Sequence, residues 1–250
     1  MSKGEFIVRD YAFETEKRVE FIRDLVRDSG AKGIVFGNSG GKDCALVGIL
    51  CKMACENTLG IILPCGSKRN FGIDKTDAEK IALQFQIETR FIDLTSVKEA
   101  LVENLSDSTV LTDAALANIA PRLRMTSLYA IAASEGRLVA GTGNRSERYT
   151  GYFTKWGDGA FDFNPIADLT VTEVYEFLRH LGAPDFLFEK APSAGLFDGQ
   201  TDEAEMGISY KALDGFLMSG TASNAETEII GRLHKASEHK RRNPVAYSGE

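Results

Sequence analysis

The chain has 250 residues, 43% of them hydrophobic and 26% charged, which is the composition of a globular protein with one substantial core. No apolar run reaches the length of a membrane span, and an excess of acids (net charge −7, pI about 5.2) excludes a surface built to coat nucleic acid. Residues Met1 to Phe6 carry no apolar export segment, and Cys44, Cys51, Cys55 and Cys65 lack C-x-x-C spacing. Reduced thiols, a cytoplasmic location and no cysteine metal site are therefore expected.

In chain order, Phe13 to Asp28 places Val19, Ile22, Leu25 and Val26 at helical spacing among charges, and Gly30 ends that helix. Ile34 to Gly37 reads as a buried strand. A turn of small residues follows, then Leu46, Ile49, Leu50 and Met53 mark a helix to about Glu56. Thr58 to Leu63 is a second strand, closed by Pro64. Beyond a polar turn from Gly66 to Gly72, Ala78, Ile81, Ala82 and Phe85 mark another helix, and Thr89 to Leu94 a third strand. This β-α-β-α-β order predicts an α/β fold, an open parallel sheet flanked by helices, in one domain over residues 1–250.

From Thr112 to Ser134 the chain is helical and alanine-rich, with a kink or break expected at Pro121. Leu138 to Gly141 is a fourth strand that runs straight into Thr142, Gly143 and Asn144. Tyr149 to Pro165 is a loop, too polar for core. Thr170-Val171-Thr172-Glu173 is a capping box opening a helix through Val174, Tyr175, Leu178 and Leu181. Ala183 to Asp202 is irregular, and the remainder is helical to about Glu238, before the basic tail His239 to Arg242.

The chemistry starts at Gly33 to Asp43. Strand, small-residue turn and helix together point backbone N–H groups and a helix N-terminus at one spot, which suits phosphate. Ser39, Gly40 and Gly41 allow close approach, and Lys42 adds charge. Asp43 would repel phosphate unless a divalent cation such as Mg²⁺ lies between them. The G-x-x-x-x-G-K-[ST] motif fails, because Phe36 stands at its first glycine and Asp43 at its hydroxyl position, and G-x-G-x-x-G is absent.

Ser39-Gly40-Gly41-Lys42-Asp43 instead resembles the S-G-G-x-D-S pyrophosphate loop of the ATP pyrophosphatase superfamily. Further stretches follow it: Asn118 to Met125, Gly141 to Glu147, Thr150 to Asp158, Pro192-Ser193-Ala194 and Glu238-His239-Lys240. In that order, from Ser39 to the tail, the chain resembles the ammonia-dependent NAD synthetases. The resemblance implies a Rossmann-like domain of adenine-nucleotide alpha-hydrolase type and a homodimer. It also implies a carbon–nitrogen ligase. ATP and Mg²⁺ adenylate the nicotinate carboxylate of deamido-NAD, pyrophosphate leaves, and ammonia displaces AMP.

The same resemblance assigns ATP binding to Gly37, Asn38, Ser39, Gly40, Gly41, Lys42, Asp43, Cys44, Thr142 and Ser193, and Mg²⁺ to Asp43 and Glu147. It assigns deamido-NAD to Arg122, Lys155, Asp162, His239 and Lys240, with the tail closing over the substrate. Lys42, Asp43, Thr142 and Asp158 form the implied catalytic set, Asp158 being the residue of the ammonia pocket. Tyr129 and Phe153 are candidates to stack on the nicotinate ring. These residue types fit the chemistry, since attack on the α-phosphorus needs in-line positioning and neutralised charge on the departing pyrophosphate. Arg122 and Arg124, two apart on a helix, point to different faces, and only Arg122 matches a substrate position.

Two positions depart from the family pattern. Cys44 replaces the last serine of the loop, and Val171 stands where the family has a lysine that reaches the ATP phosphates. Lys42 is expected to take over that contact. Alternative readings are another ATP pyrophosphatase, such as a tRNA-thiolating enzyme or half of a GMP synthetase, and a catalytically inactive nucleotide-binding module. The acidic charge opposes the first and the Thr150 to Asp158 stretch the second, while pyrophosphate release separates any enzyme from the third. The length leaves no room for a glutaminase domain, so ammonia, free or from a partner, is the expected nitrogen source.

Overall fold

The computed structural model describes residues 9–189 and 201–247. Helix α1 (Tyr11–Ser29) starts at Asp10, whose carboxylate accepts the N–H groups of Ala12 and Phe13, and stops at Gly30 in the left-handed region (φ 68°). Strand β1 (Gly33–Gly37) follows, then α2 (Lys42–Ala54). The helix lies on the strand through Gly48, where a Cβ would sit 2.6 Å from Phe36 Cζ. Strand β2 (Thr58–Ile62), helices α3 (Lys68–Phe71) and α4 (Ile73–Gln84), and β3 (Glu88–Phe91) complete the first half. Next come α5 (Thr95–Ser106), α6 (Asp113–Glu135) and β4 (Arg137–Val139).

All pairings are parallel and the strand order is β3-β2-β1-β4, so the open parallel α/β sheet is as expected. Alternate side chains of β1 serve opposite layers. Ile34 and Phe36 join α1 and α2 in one core, through Val19, Ile22, Leu46 and Leu50. Val35 joins Leu59 and Ile61 in the other, against Ala120 and Ala132 of α6. Beyond the sheet lie α7 (Arg145–Thr150), α8 (Val171–His180), α9 (Phe186–Glu189), α10 (Asp202–Met206), α11 (Tyr210–Ser219), α12 (Asn224–Ala236) and α13 (Glu238–Arg241). A third cluster, with Val171, Met206, Tyr210, Leu213 and Ile230, holds these C-terminal helices together. Among the described residues no helix is long and apolar enough to cross a membrane.

Several elements differ from expectation, among them α3 within the expected Gly66–Gly72 turn and α9 within the stretch expected to be irregular. The third strand ends at Phe91 rather than Leu94, and the fourth has three residues, extended by a bridge from Ala140 to Phe163. Helix α5 was not foreseen, because none of its residues is buried and Val97 and Leu101 face outward, so no apolar stripe marks it. Pro121 does not break α6, which runs unbroken for 23 residues. The proline ring is buried, and the Thr154–Asp158 turn packs on it so closely that a Cβ at Gly157 would lie 2.9 Å from Pro121 Cβ. Alanines on both sides favour helix, and packing offsets the one lost bond.

An ion cluster docks α1 beside the start of α8. Arg18 meets Asp168 at 2.7 Å and Glu14 at 2.7 Å, while Arg9 meets Glu173 at 2.6 Å and Asp168 at 3.0 Å. Burial alone would raise the Asp168 carboxyl, but the hydrogen bond and charge of Arg18, with Arg9, hold it below the usual range. A depressed acid stabilises above its unfolded pKa and loses that contribution as pH falls through the native value. Unfolding free energy from urea titration should therefore drop below about pH 4. Asp168→Asn should flatten that acid limb and cost no more than about 1 kcal/mol at pH 7, because the carboxylate is half exposed.

Candidate active site

The strand order reverses between β1 and β4, and in open α/β sheets such a reversal leaves a crevice at the carboxyl ends of the strands. A cleft of ≈ 420 Å³ opens there, within the range of small-molecule sites of about 300–1,000 Å³. Its walls come from the loop after β1, the loop after β4, the Gly151–Asp158 turn and Lys240 of the tail.

The first loop is built tightly. Gly40 sits at φ 71°, where a side chain would be strained, and a Cβ would lie 2.3 Å from the Asp74 carbonyl oxygen. Buried Asn38 braces it, its amide donating to Ala78 O at 3.3 Å and its carbonyl accepting from Gly40 N at 3.3 Å. Gly41 is the N-cap of α2 and offers no side-chain cap, so the first-turn N–H groups are left to face the cleft. Ser39 Oγ lies 3.1 Å from Cys44 Sγ. Burial pushes the Cys44 thiol up, which favours the neutral thiol, and either Ser39 Oγ or Cys44 Sγ can donate in this contact.

Asp43 and Glu147 are joined by a residue not singled out from the sequence. Asn144, fully buried, donates its amide to Asp43 Oδ1 at 3.1 Å. Its backbone N–H donates to Glu147 Oε2 at 3.1 Å, and its side-chain oxygen accepts from Glu147 N, a capping box that opens α7. Among the described residues no hydrogen bond reaches Glu147 Oε1. Burial and the neighbouring Asp43 charge raise the Glu147 carboxyl well above its usual range, with Lys42 opposing. Two carboxylates with one open oxygen form a hard oxygen pair of the kind that takes Mg²⁺ together with substrate phosphates. The N-x-x-E spacing was the available signal for Asn144.

Lys42 is buried beside them, and its ammonium donates to Asp43 Oδ2 at 2.7 Å. The rings of Tyr175 and Tyr210 lie 5.8 and 5.7 Å from it, within reach of a cation–π contact. Burial works to lower this lysine, but Asp43, Glu147 and Tyr175 outweigh it and hold the ammonium above the ordinary lysine range. Tyr210 also donates to Asp202 at 3.0 Å. Tyr175, Tyr210 and Asp202 carry no local motif and reach the cleft region only through tertiary packing. Val171 packs into the apolar cluster that contains Tyr210.

Thr142 adjoins Cys44 on the loop side, and Phe153, Asp158, Arg124 and Lys240 complete the lining. Asp158 opens to the cleft while accepting from Thr154 N at 3.0 Å, and the crowding around it raises its carboxyl. Lys240 donates to Gly151 O and Phe153 O, both at 2.7 Å, so the tail already lies over the cleft edge. Arg124, rather than Arg122, turns inward, donating to Leu63 O at 2.9 Å and Asn70 Oδ1 at 3.0 Å. Arg122, Lys155 and His239 instead adjoin one another outside it, Arg122 reaching Lys155 O and the Lys155 ammonium reaching His239 O at 2.8 Å. Asp162 has both oxygens engaged, by Val139 N at 2.7 Å and by the Tyr129 hydroxyl at 3.1 Å, which keeps Tyr129 off the cleft lining. Ser193 lies outside the described residues.

The sequence model of the NAD synthase family matches residues 14–244. An NH(3)-dependent NAD(+) synthetase from Carboxydothermus hydrogenoformans is 47% identical over 234 residues, covering 92% of this chain and 95% of that protein. The solved structure of NMN synthetase from Francisella tularensis superposes with a TM-score of 0.90 at 36% identity, covering 96% of this chain and 100% of that one. That of the NH3-dependent NAD synthetase from Campylobacter jejuni gives 0.78 at 30% identity, covering 96% and 100%. Reach, order and identity agree across the whole described fold, and the chain belongs to the NAD synthase family.

Proposed function

We propose that this chain amidates deamido-NAD with ammonia at the expense of ATP, giving NAD, AMP and pyrophosphate through an adenylated nicotinate. One observation carries the reading: a phosphate-suited loop and two Asn144-linked carboxylates meet at the strand-order reversal of an NAD synthase family chain. A single family match over residues 14–244 supports one domain. Four free cysteines accord with a cytoplasmic enzyme.

Asp43 and Glu147 are the residues that would hold Mg²⁺, which when bound neutralises charge between the acids and the phosphates. The N–H groups of the Gly37–Cys44 loop and the Lys42 ammonium supply donors for the departing pyrophosphate, and Thr142 lines the same wall. Asp158, exposed to the cleft and flanked by Arg124 and Lys240, binds ammonium and accepts its proton before NH₃ attacks the acyl-adenylate. Lys240, with Arg122, Lys155 and His239 just outside, supplies the cationic edge that a dinucleotide needs. Asp162 would have to release Val139 N or Tyr129 to reach a substrate ribose.

Likeness to the NMN synthetase favours a second reading, in which the same nicotinate carboxyl is carried on a mononucleotide. The outward faces of α5, with Val97 and Leu101, and of α6 suit a second copy of the chain.

Pyrophosphate release from ATP and Mg²⁺ should require a nicotinate nucleotide, and the amide product should appear only when ammonium is added. Side-by-side kcat/KM values for deamido-NAD and nicotinate mononucleotide decide between the two substrates, the dinucleotide being expected to win. Asp158→Asn keeps an acceptor for Thr154 N, so folding and pyrophosphate release should persist. Its kcat/KM for ammonium should fall on the order of 100-fold, a typical acid–base contribution; unchanged ammonium kinetics would leave Asp158 a turn residue. Sedimentation velocity should give about twice the 27.3 kDa chain mass.

A further inference from the structure

We propose that Lys42 is an exchangeable counter-ion: it and a divalent cation compete for Asp43, and the ammonium that yields turns to the nucleotide phosphates. The inference rests on the assignment of Asp43 and Glu147 as the metal pair, and goes beyond it by saying what metal binding does to Lys42.

Both oxygens of Asp43 already accept from protein donors, Oδ1 from Asn144 at 3.1 Å and Oδ2 from Lys42 at 2.7 Å. An ammonium at that distance and a divalent cation on the same buried carboxylate repel each other, so binding of one weakens the other. The donor that yields is the one free to move. Asn144 is fixed, since it is fully buried and caps α7 through both its backbone N–H and its side-chain oxygen. Lys42 is a charge on a flexible four-carbon stem and can move without breaking a cap.

The surroundings say where it goes. Tyr175 of α8 and Tyr210 of α11 flank the ammonium at 5.8 and 5.7 Å, while Glu147 of α7 and Asp202 of α10 add negative charge nearby. This cage keeps the cation in the cleft once it leaves Asp43. Two adjacent cations are tolerated only beside a polyanion, and the N-terminus of α2, from which Lys42 springs, is where phosphate is expected. Val171, the position at which the resembling family carries its phosphate-directed lysine, packs in the cluster that contains Tyr210. Val171 thus shares an apolar cluster with Tyr210, whose ring, with that of Tyr175, flanks Lys42, which makes Tyr175 and Tyr210 positioning residues for Lys42.

The test is a pair of binding titrations on the full chain with Lys42→Met, neither of which involves turnover. With Mn²⁺ alone, followed by its electron paramagnetic resonance signal, the variant should bind on the order of tenfold more tightly than the parent, because the competing ammonium is gone. With Mn²⁺ held saturating, a non-hydrolysable ATP analogue should bind on the order of tenfold more weakly. Opposite signs establish the exchange. Mn²⁺ affinity that is unchanged or weaker overturns it, and so does unchanged or tighter analogue binding. Lys42→Gln, of similar reach and still polar, gives the same two readings if the methionine variant does not fold. Deamido-NAD and ammonia enter neither titration, so failure of the proposed reaction and failure of this exchange remain separate results.

Discussion

The site depends on one pairing, that of β4 with the free edge of β1. The chain lays down β1, β2 and β3 in one direction and then returns past its starting strand, so Val35 pairs with Leu59 on one side and Val139 on the other. Parallel strands put their carboxyl ends on the same edge of the sheet. The loop after Gly37 and the loop after Val139 therefore meet, although about a hundred residues separate them in sequence. Asn144 joins the two by binding Asp43 with its side chain and Glu147 with its backbone. The other features of the cleft are arranged around that contact.

Charge balance is the second constraint. Two carboxylates and the anion-seeking start of α2 occupy one low-dielectric corner, where burial and the Asp43 charge raise the proton affinity of Glu147. A buried lysine would be unfavourable there without partners, yet Lys42 has Asp43 in contact and two tyrosine rings beside it. The corner is thus partly neutralised by a side chain of the phosphate loop itself. Val171 packs in the same apolar cluster as Tyr210, so no charge stands at that position.

What the sequence could reveal tracked how local each feature is. The Ser39–Asp43 loop was legible because strand, small-residue turn and helix are adjacent in the chain. The Thr170–Glu173 capping box formed as written, with Glu173 accepting from Thr170 N at 2.7 Å. Helix α5 was illegible because nothing apolar on it is buried, and burial is what writes helical periodicity into a sequence. Pro121 misled because a local penalty was offset by packing against Gly157. Arg122 and Arg124 were correctly placed on different faces, but which face meets the cleft required the packing of α6 across β1 and β4, and it is Arg124 that enters.

The sequence by itself determined the α/β class, the phosphate-suited loop, the two acids at strand ends and, through its ordered motifs, the family. Those are properties of short segments and of their order, which local sterics and periodicity encode. Only the tertiary structure decided that Asn144 bridges the acids, that Lys42 lies between Tyr175 and Tyr210, and that Lys240 borders the cleft while Arg122 and His239 stay outside it. These contacts join residues from tens to well over a hundred positions apart. No local propensity specifies them; they exist because the sheet and the C-terminal helices bury one another.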